Sequence, residues 1–248
     1  MSSRTADLDQ KPVCKFSAFC LALALMWVAT GAPAAQCDPY QAAREEMVAR
    51  QLQGRDITDP RVLAAMAKVP RHLFVPERLA SQAYGDHPLP IGSGQTISQP
   101  YIVALMSQWA EVKPGDRVLE VGTGSGYQAA VLAELTDQVF TIELLPELAR
   151  EAAGRLAALG YSRVQVTCGD GYQGWPEKAP FAAILVTAAA PRVPGALGAQ
   201  LAEGGRLVIP LGTPQTSQIL VRFRKVQGKL QEETGVPVRF VPLVQPKK

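Results

Sequence analysis

Two histidines and four cysteines in 248 residues are too few, and too widely spaced, for a zinc ribbon or a disulfide framework. Metal catalysis is correspondingly disfavoured, and no metal ligands are assigned. Neither sign of charge dominates: 25 Lys and Arg stand against 22 Asp and Glu, a formal net charge of +3 at pH 7. The basic residues are scattered, apart from Arg222-Phe223-Arg224-Lys225, which can be one strand with both faces polar. Nucleic-acid-binding domains gather their charge on one face, so no nucleic-acid partner is expected. Low charge is not low hydrophobicity: 47% of residues are hydrophobic and 19% charged. Such a chain can bury a sizeable core, and disorder is not expected.

The longest-looking apolar stretch, residues 16–28, falls short of the roughly 20 residues a spanning helix needs. It follows the polar segment Lys11-Pro12-Val13-Cys14-Lys15 and precedes a small-residue exit containing Ala32-Pro33-Ala34. That layout is a secretory leader's, which sets residues 1–36 apart from a single domain at 37–248. Asp7 and Asp9 dilute the positive region, and an extension from an upstream start or an uncleaved anchor stays open. Gln36 stands before Cys37 where lipidation wants a small residue. After cleavage only Cys37 and Cys168 would remain.

Periodicity predicts an amphipathic helix over residues 41–52, with Ala42, Met47, Val48 and Leu52 apolar. Thr58-Asp59-Pro60 caps a second, with Val62, Leu63, Met66 and Val69 inward. An irregular proline- and glycine-punctuated stretch then runs to Pro100, followed by a helix at 101–110. From Lys113 strands alternate with helices: strands at 117–121, 139–143, 164–167, 182–186 and 206–211, helices at 127–135, 146–159 and 193–201. Several strands are apolar on both faces, which predicts a doubly wound α/β fold around a parallel sheet. Residues 219–226, 229–232 and 236–244 read as antiparallel strands closing one edge. The domain thus divides into a helical part at 41–112, an α/β core at 113–212 and carboxyl-terminal strands at 213–248.

In that fold ligands bind at the carboxyl ends of the strands. There Gly122-Thr123-Gly124-Ser125-Gly126 forms a strand-to-helix turn whose glycines let a ligand approach the backbone. A dinucleotide fingerprint would need glycine where Tyr127 stands. Glu143 ends the next strand, where a carboxylate can accept from both hydroxyls of a ribose, or be merely solvated. Asp170, between Gly169 and Gly171, can accept from an exocyclic amine while Gly171 leaves room for a flat ring, or can be a turn residue. Together they describe a nucleoside pocket without a phosphate-binding lysine.

Five segments are recognisable: residues 88–100, ending Gly94-Gln95-Thr96-Ile97-Ser98-Gln99-Pro100; 119–127, around the glycine turn; 186–191; 204–212; and 239–243. They resemble the protein-L-isoaspartate (D-aspartate) O-methyltransferase family over about residues 41–244. The glycine turn is shared by many methyltransferases, whereas the Gly-Gln-Thr-Ile-Ser-Gln-Pro loop is specific to this family. The resemblance implies a Rossmann-like sheet that binds S-adenosylmethionine, with helical amino-terminal additions and antiparallel edge strands. It implies methyl transfer to the α-carboxylate of L-isoaspartyl residues in damaged peptides and proteins, which starts their repair. It places Ser98 as the residue that aims the substrate carboxylate, although the same serine could cap the following helix. It assigns Thr96, Ile97, Ser98, Gly122, Thr123, Gly124, Glu143, Asp170 and Gly171 to the cofactor, and Gln95, Val241, Pro242 and Leu243 to the substrate.

Two departures stand out. Family members commonly read Pro-[Tyr/Phe]-Asp-Ala-Ile where this chain has Pro180-Phe181-Ala182-Ala183-Ile184, removing an acidic group expected near the cofactor end of the core. Ser93 stands where an aromatic residue or histidine is common. A monomer is expected, and a cytoplasmic one, the location because S-adenosylmethionine is made in the cytoplasm. A cleaved leader would make the chain periplasmic, and an uncleaved one membrane-attached. The alternatives are a methyltransferase for small carboxylic acids and a non-catalytic cofactor- or peptide-binding protein.

Overall fold

The computed structural model describes residues 38–213 and 215–246; the leader expected at 1–36, and Cys37, lie outside them. Helix α1 (Gln41–Glu46) continues as a wider π-helical stretch, Met47–Gln53. The helix expected at 41–52 is therefore present but changes pitch halfway. Helix α2 (Pro60–Lys68) starts as its sequence requires, with the Asp59 carboxylate accepting from the Arg61 N–H and proline in the first turn. Two 3-10 turns, Arg71–Phe74 and Glu77–Gln82, lead to a hairpin of β1 (Leu89–Gly92) and β2 (Gln95–Ile97). Helix α3 (Pro100–Trp109) follows.

The alternating region holds β3 (Arg117–Val121), α4 (Tyr127–Ala133), β4 (Gln138–Glu143), α5 (Pro146–Ala158), β5 (Gln165–Cys168) and β6 (Phe181–Val186). Next come α6 (Gly195–Gln200), β7 (Leu201–Leu211), β8 (Gln218–Val226) and β9 (Lys229–Val238). The sheet order is β5-β4-β3-β6-β7-β8-β9, parallel through β7 and antiparallel beyond. After β5 the chain crosses from one side of β3 to the other, so the order reverses between β3 and β6. A crevice opens at such a switch point.

Two apolar layers flank the sheet. Val118, Val139 and Leu185 face one way and join Met47, Leu52, Ile57, Met66, Phe74 and Leu105. Leu119, Ile142, Ile184 and Ile209 face the other way, against Phe181 and Leu197. Burying each such side chain contributes roughly 1.5–3 kcal/mol. The amino-terminal helices thus share one core with the sheet.

Three expectations are corrected. The stretch before Pro100 contains a hairpin, pinned by Leu89 opposite Ile97. The strands expected at 229–232 and 236–244 are one strand, β9, running through Gly235 to Val238 with a register shift opposite Arg222–Phe223. Residues 239–244 instead cross the top of the sheet, where Ala189 donates to the Val241 carbonyl (2.8 Å) and Leu243 to the Ala189 carbonyl (2.7 Å). Finally, α6 stops at Gln200 and β7 begins at Leu201, ahead of the expected Arg206. The Lys225 ammonium accounts for that stop by donating to the carbonyls of Gly198 (2.9 Å) and Leu201 (2.7 Å).

Candidate active site

Three adjoining spaces open at the switch point, and Thr96 and Thr187 line all three. The first is a cleft with about 680 Å³ of open space between the glycine turn and the 241–244 segment. The second is a small chamber behind the turn, with Ser98, Glu120 and Gln128 in its walls. The third is a groove between Ser98, Ile102 and residues 237–241.

The turn's backbone dictates its glycines. Gly122, Gly124 and Gly126 have φ of 100°, 51° and 88°, a region that disfavours other residues. A Cβ on Gly122 would collide with the Thr187 hydroxyl, which donates to the Gly122 carbonyl at 2.6 Å. Thr187 therefore holds the turn, a role unassigned from the sequence. Its position just past the end of β6, opposite the glycine turn after β3, was the available signal.

Glu143 is 7% exposed. One carboxylate oxygen accepts from the Gly124 N–H (2.8 Å) and the other from the Leu145 N–H (3.0 Å). Each oxygen keeps a further lone pair, so Glu143 ties the two rims together and still faces the cleft as an acceptor. Among the described residues no lysine or arginine lines the cleft. Spare carboxylate acceptors and bare glycine backbone fit the ribose and the close approach of a nucleoside.

The remaining assigned residues divide. Gln95, Thr96, Gly122, Gly124 and Gly171 line the cleft. Thr123 and Ile97 line the chamber instead, and the Thr123 hydroxyl lies 2.6 Å from that of Thr141. Asp170 stands one residue before Gly171, outside the cleft's lining, with one carboxylate oxygen accepting from the Tyr172 N–H at 2.9 Å. A Cβ on Gly171 would strike the Val121 side chain, so this stretch of the cleft wall is bare backbone. Val241 lines both cleft and groove, whereas Gln95, Pro242 and Leu243 line the cleft and not the groove. Ser98 lines chamber and groove. It does not cap α3, whose N-cap is Gln99 without a side-chain bond, so its hydroxyl is left for a ligand.

Glu120, missed from the sequence, is fully buried. One oxygen accepts from Thr141 (2.6 Å) and the other has no partner. Burial pushes its pKa up to about 8, against the opposing pull of the Thr141 bond. Ala182, by contrast, lies away from the cleft. It is the second residue of β6, five positions before Thr187, or roughly 16 Å along the strand. Ser93 sits exposed at the hairpin tip with φ 49°.

A parallel sheet with this switch point, glycine turn and acidic β4 end has the architecture of S-adenosylmethionine-dependent methyltransferases. The family model for protein-L-isoaspartate(D-aspartate) O-methyltransferase matches residues 42–248. A protein-L-isoaspartate O-methyltransferase of Opitutus terrae is 57% identical over 225 residues, covering 91% of this chain and 97% of that one. One of a Synechococcus strain is 58% identical over 214 residues, covering 84% and 87%. A solved protein-L-isoaspartate O-methyltransferase superposes with TM-score 0.73 at 31% identity, over 80% of this chain and 65% of that one. A Plasmodium falciparum structure described as a putative member, in complex with S-adenosyl-L-homocysteine, gives 0.70 at 27% identity, over 82% and 99%. The chain belongs to the protein-L-isoaspartate (D-aspartate) O-methyltransferase family.

Proposed function

We propose that Ser98 aims the substrate carboxylate in the reaction of this family, methyl transfer to the α-carboxylate of L-isoaspartyl residues in peptides and proteins. The observation that carries this reading is the shared wall: Thr96 and Thr187 bound both cleft and groove, and Ser98 lies beside them on the groove side. When bound, S-adenosylmethionine supplies an electrophilic methyl on a sulfonium. Glu143 and the glycine turn would hold its nucleoside end, with Gln95, Thr96 and residues 241–243 forming the opposite wall.

The substrate carboxylate is ionised at neutral pH, so no general base is required of the protein. What the residues must supply is alignment, and exclusion of water from two opposite charges that cancel on transfer. The Ser98 hydroxyl donates to one carboxylate oxygen and leaves the other free to react. In the groove, the Gln218 amide grips the Phe240 backbone, accepting from its N–H (2.6 Å) and donating to its carbonyl (3.2 Å). That leaves residues 237–241 as a fixed rail for extended substrate backbone, where main-chain bonding carries no side-chain preference.

Replacing Ser98 with Ala should lower turnover about 10- to 100-fold, the worth of one hydrogen bond to a charged group. Cofactor affinity should change less than about twofold, since Glu143 and the turn are intact. Calorimetry alongside steady-state rates tests this, and a parallel loss of cofactor affinity would refute the aiming role. The same reading makes the protein a cytoplasmic monomer built as one domain from residue 37, without nucleic acid or metal. Cofactor supply supports the location.

A further inference from the structure

Arg71 is 0% exposed, yet it lies within hydrogen-bonding distance of the catalytic loop. Its Nη2 donates to the Ser98 carbonyl at 2.7 Å and its Nε to the Ala83 carbonyl at 2.7 Å. The guanidinium carbon stands 4.8 Å from the centre of the Tyr127 ring, and Nη1 is buried without an acceptor. None of the ion pairs among the described residues involves it. Burial lowers its pKa to about 10, so it is a cation at neutral pH.

An unpaired buried cation is costly, and an apolar side chain of similar volume often gives a more stable protein. Stability is therefore a poor reason for arginine at this position. Its bonds suggest another. Ser98 follows a three-residue strand and precedes Gln99, the N-cap of α3, so its peptide group lies outside both elements' hydrogen-bond ladders. A charge-assisted bond to its carbonyl sets the plane of that group, and with it the direction of the hydroxyl. The second bond, to the buried Ala83 just past the second 3-10 turn, fixes the guanidinium itself, so the serine is referenced to the interior rather than to the exposed hairpin tip.

We infer that Arg71 is the positioning residue for Ser98, holding the serine backbone so that its hydroxyl meets the substrate carboxylate. This rests on the aiming role proposed for Ser98, and the two can fail separately.

The test is a double-mutant cycle in the full chain, measuring kcat and KM for an isoaspartyl peptide and, separately, cofactor affinity by calorimetry. Arg71→Met keeps volume and removes both bonds; Arg71→Lys keeps the charge but cannot span both carbonyls, and serves for the cycle if the methionine variant does not fold. With Ser98 present, Arg71→Met should lower kcat about tenfold or more, the range for one charge-assisted bond. Arg71→Lys should recover part of that loss. In a Ser98→Ala background the same changes should cost less than about twofold, with cofactor affinity unchanged throughout. Equal losses in both backgrounds, or a folded Arg71→Met protein with unaltered kcat, would overturn the inference. Ser98→Ala alone reads the separate question of whether that serine matters.

Discussion

Glu120 sets the electrostatics of the chamber behind the glycine turn. Its pKa of about 8, against 4.5 for an ordinary glutamate, means the folded chain keeps a proton that the unfolded chain gives up. Between about pH 4.5 and 8 the native state binds more protons, so this group's contribution to stability falls as pH rises through that window. Glu120→Gln keeps the acceptor for Thr141 and removes the titration. The variant should gain on the parent from pH 5 to pH 8, by up to a few kcal/mol at roughly 1.4 kcal/mol per pKa unit. Denaturant unfolding at both pH values checks this, and parallel stability profiles would show that Glu120 titrates normally. Glu143 and Gly122 were legible because strand-end position and the demand for positive φ are written locally. Arg71 and Thr187 act through backbone carbonyls 27 and 65 residues away in sequence, which no local pattern announces. The significance given to Ala182 failed for a geometric reason: it is on the right strand but at the wrong end.

At the scale of elements, the long periodic pieces were readable and the short ones were not. Strands β3, β4 and β6 lie within about a residue of their expected bounds, because burial on both faces leaves a continuous apolar signature. The hairpin escaped because only Leu89 and Ile97 are buried among its strand residues. Its Gly92-Ser93-Gly94 turn was the usable cue. The carboxyl-terminal segment was misread because residues 236–244 alternate like a strand, while 239–244 are diverted over the sheet by bonds to Ala189. Those bonds make the segment a roof of the cleft. Ending the chain at Val238 should therefore leave β9 and the fold in place, at a cost of about 1–3 kcal/mol for the lost hydrogen bonds. Cofactor affinity should fall about tenfold or more as apolar cover is lost. Thermal unfolding and calorimetry distinguish the two effects. Unchanged affinity would show that the roof is not part of the site.

For the whole molecule, the doubly wound fold and the reaction follow from features that survive compression into sequence: alternation of elements, a glycine turn and one family-specific loop. Asp38 and Tyr40 already belong to the domain, Asp38 pairing with Arg44 at 2.6 Å and Tyr40 lying 4.5 Å from the His72 ring. Among the described residues no helix is long and apolar enough to cross a membrane. Protein lacking residues 1–36 should fold and act like the full chain, and the proposed cytoplasmic location, which rests on cofactor supply, is read by fractionating cells that make the full chain. Recovery in the periplasm would reverse the location without touching the chemistry. The most direct measurement is methyl transfer from labelled S-adenosylmethionine to a synthetic peptide containing L-isoaspartate, beside the same peptide with L-aspartate. Base-labile label in the isoaspartyl peptide alone is the expected result; label in both, or in neither while cofactor binds, would contradict the account.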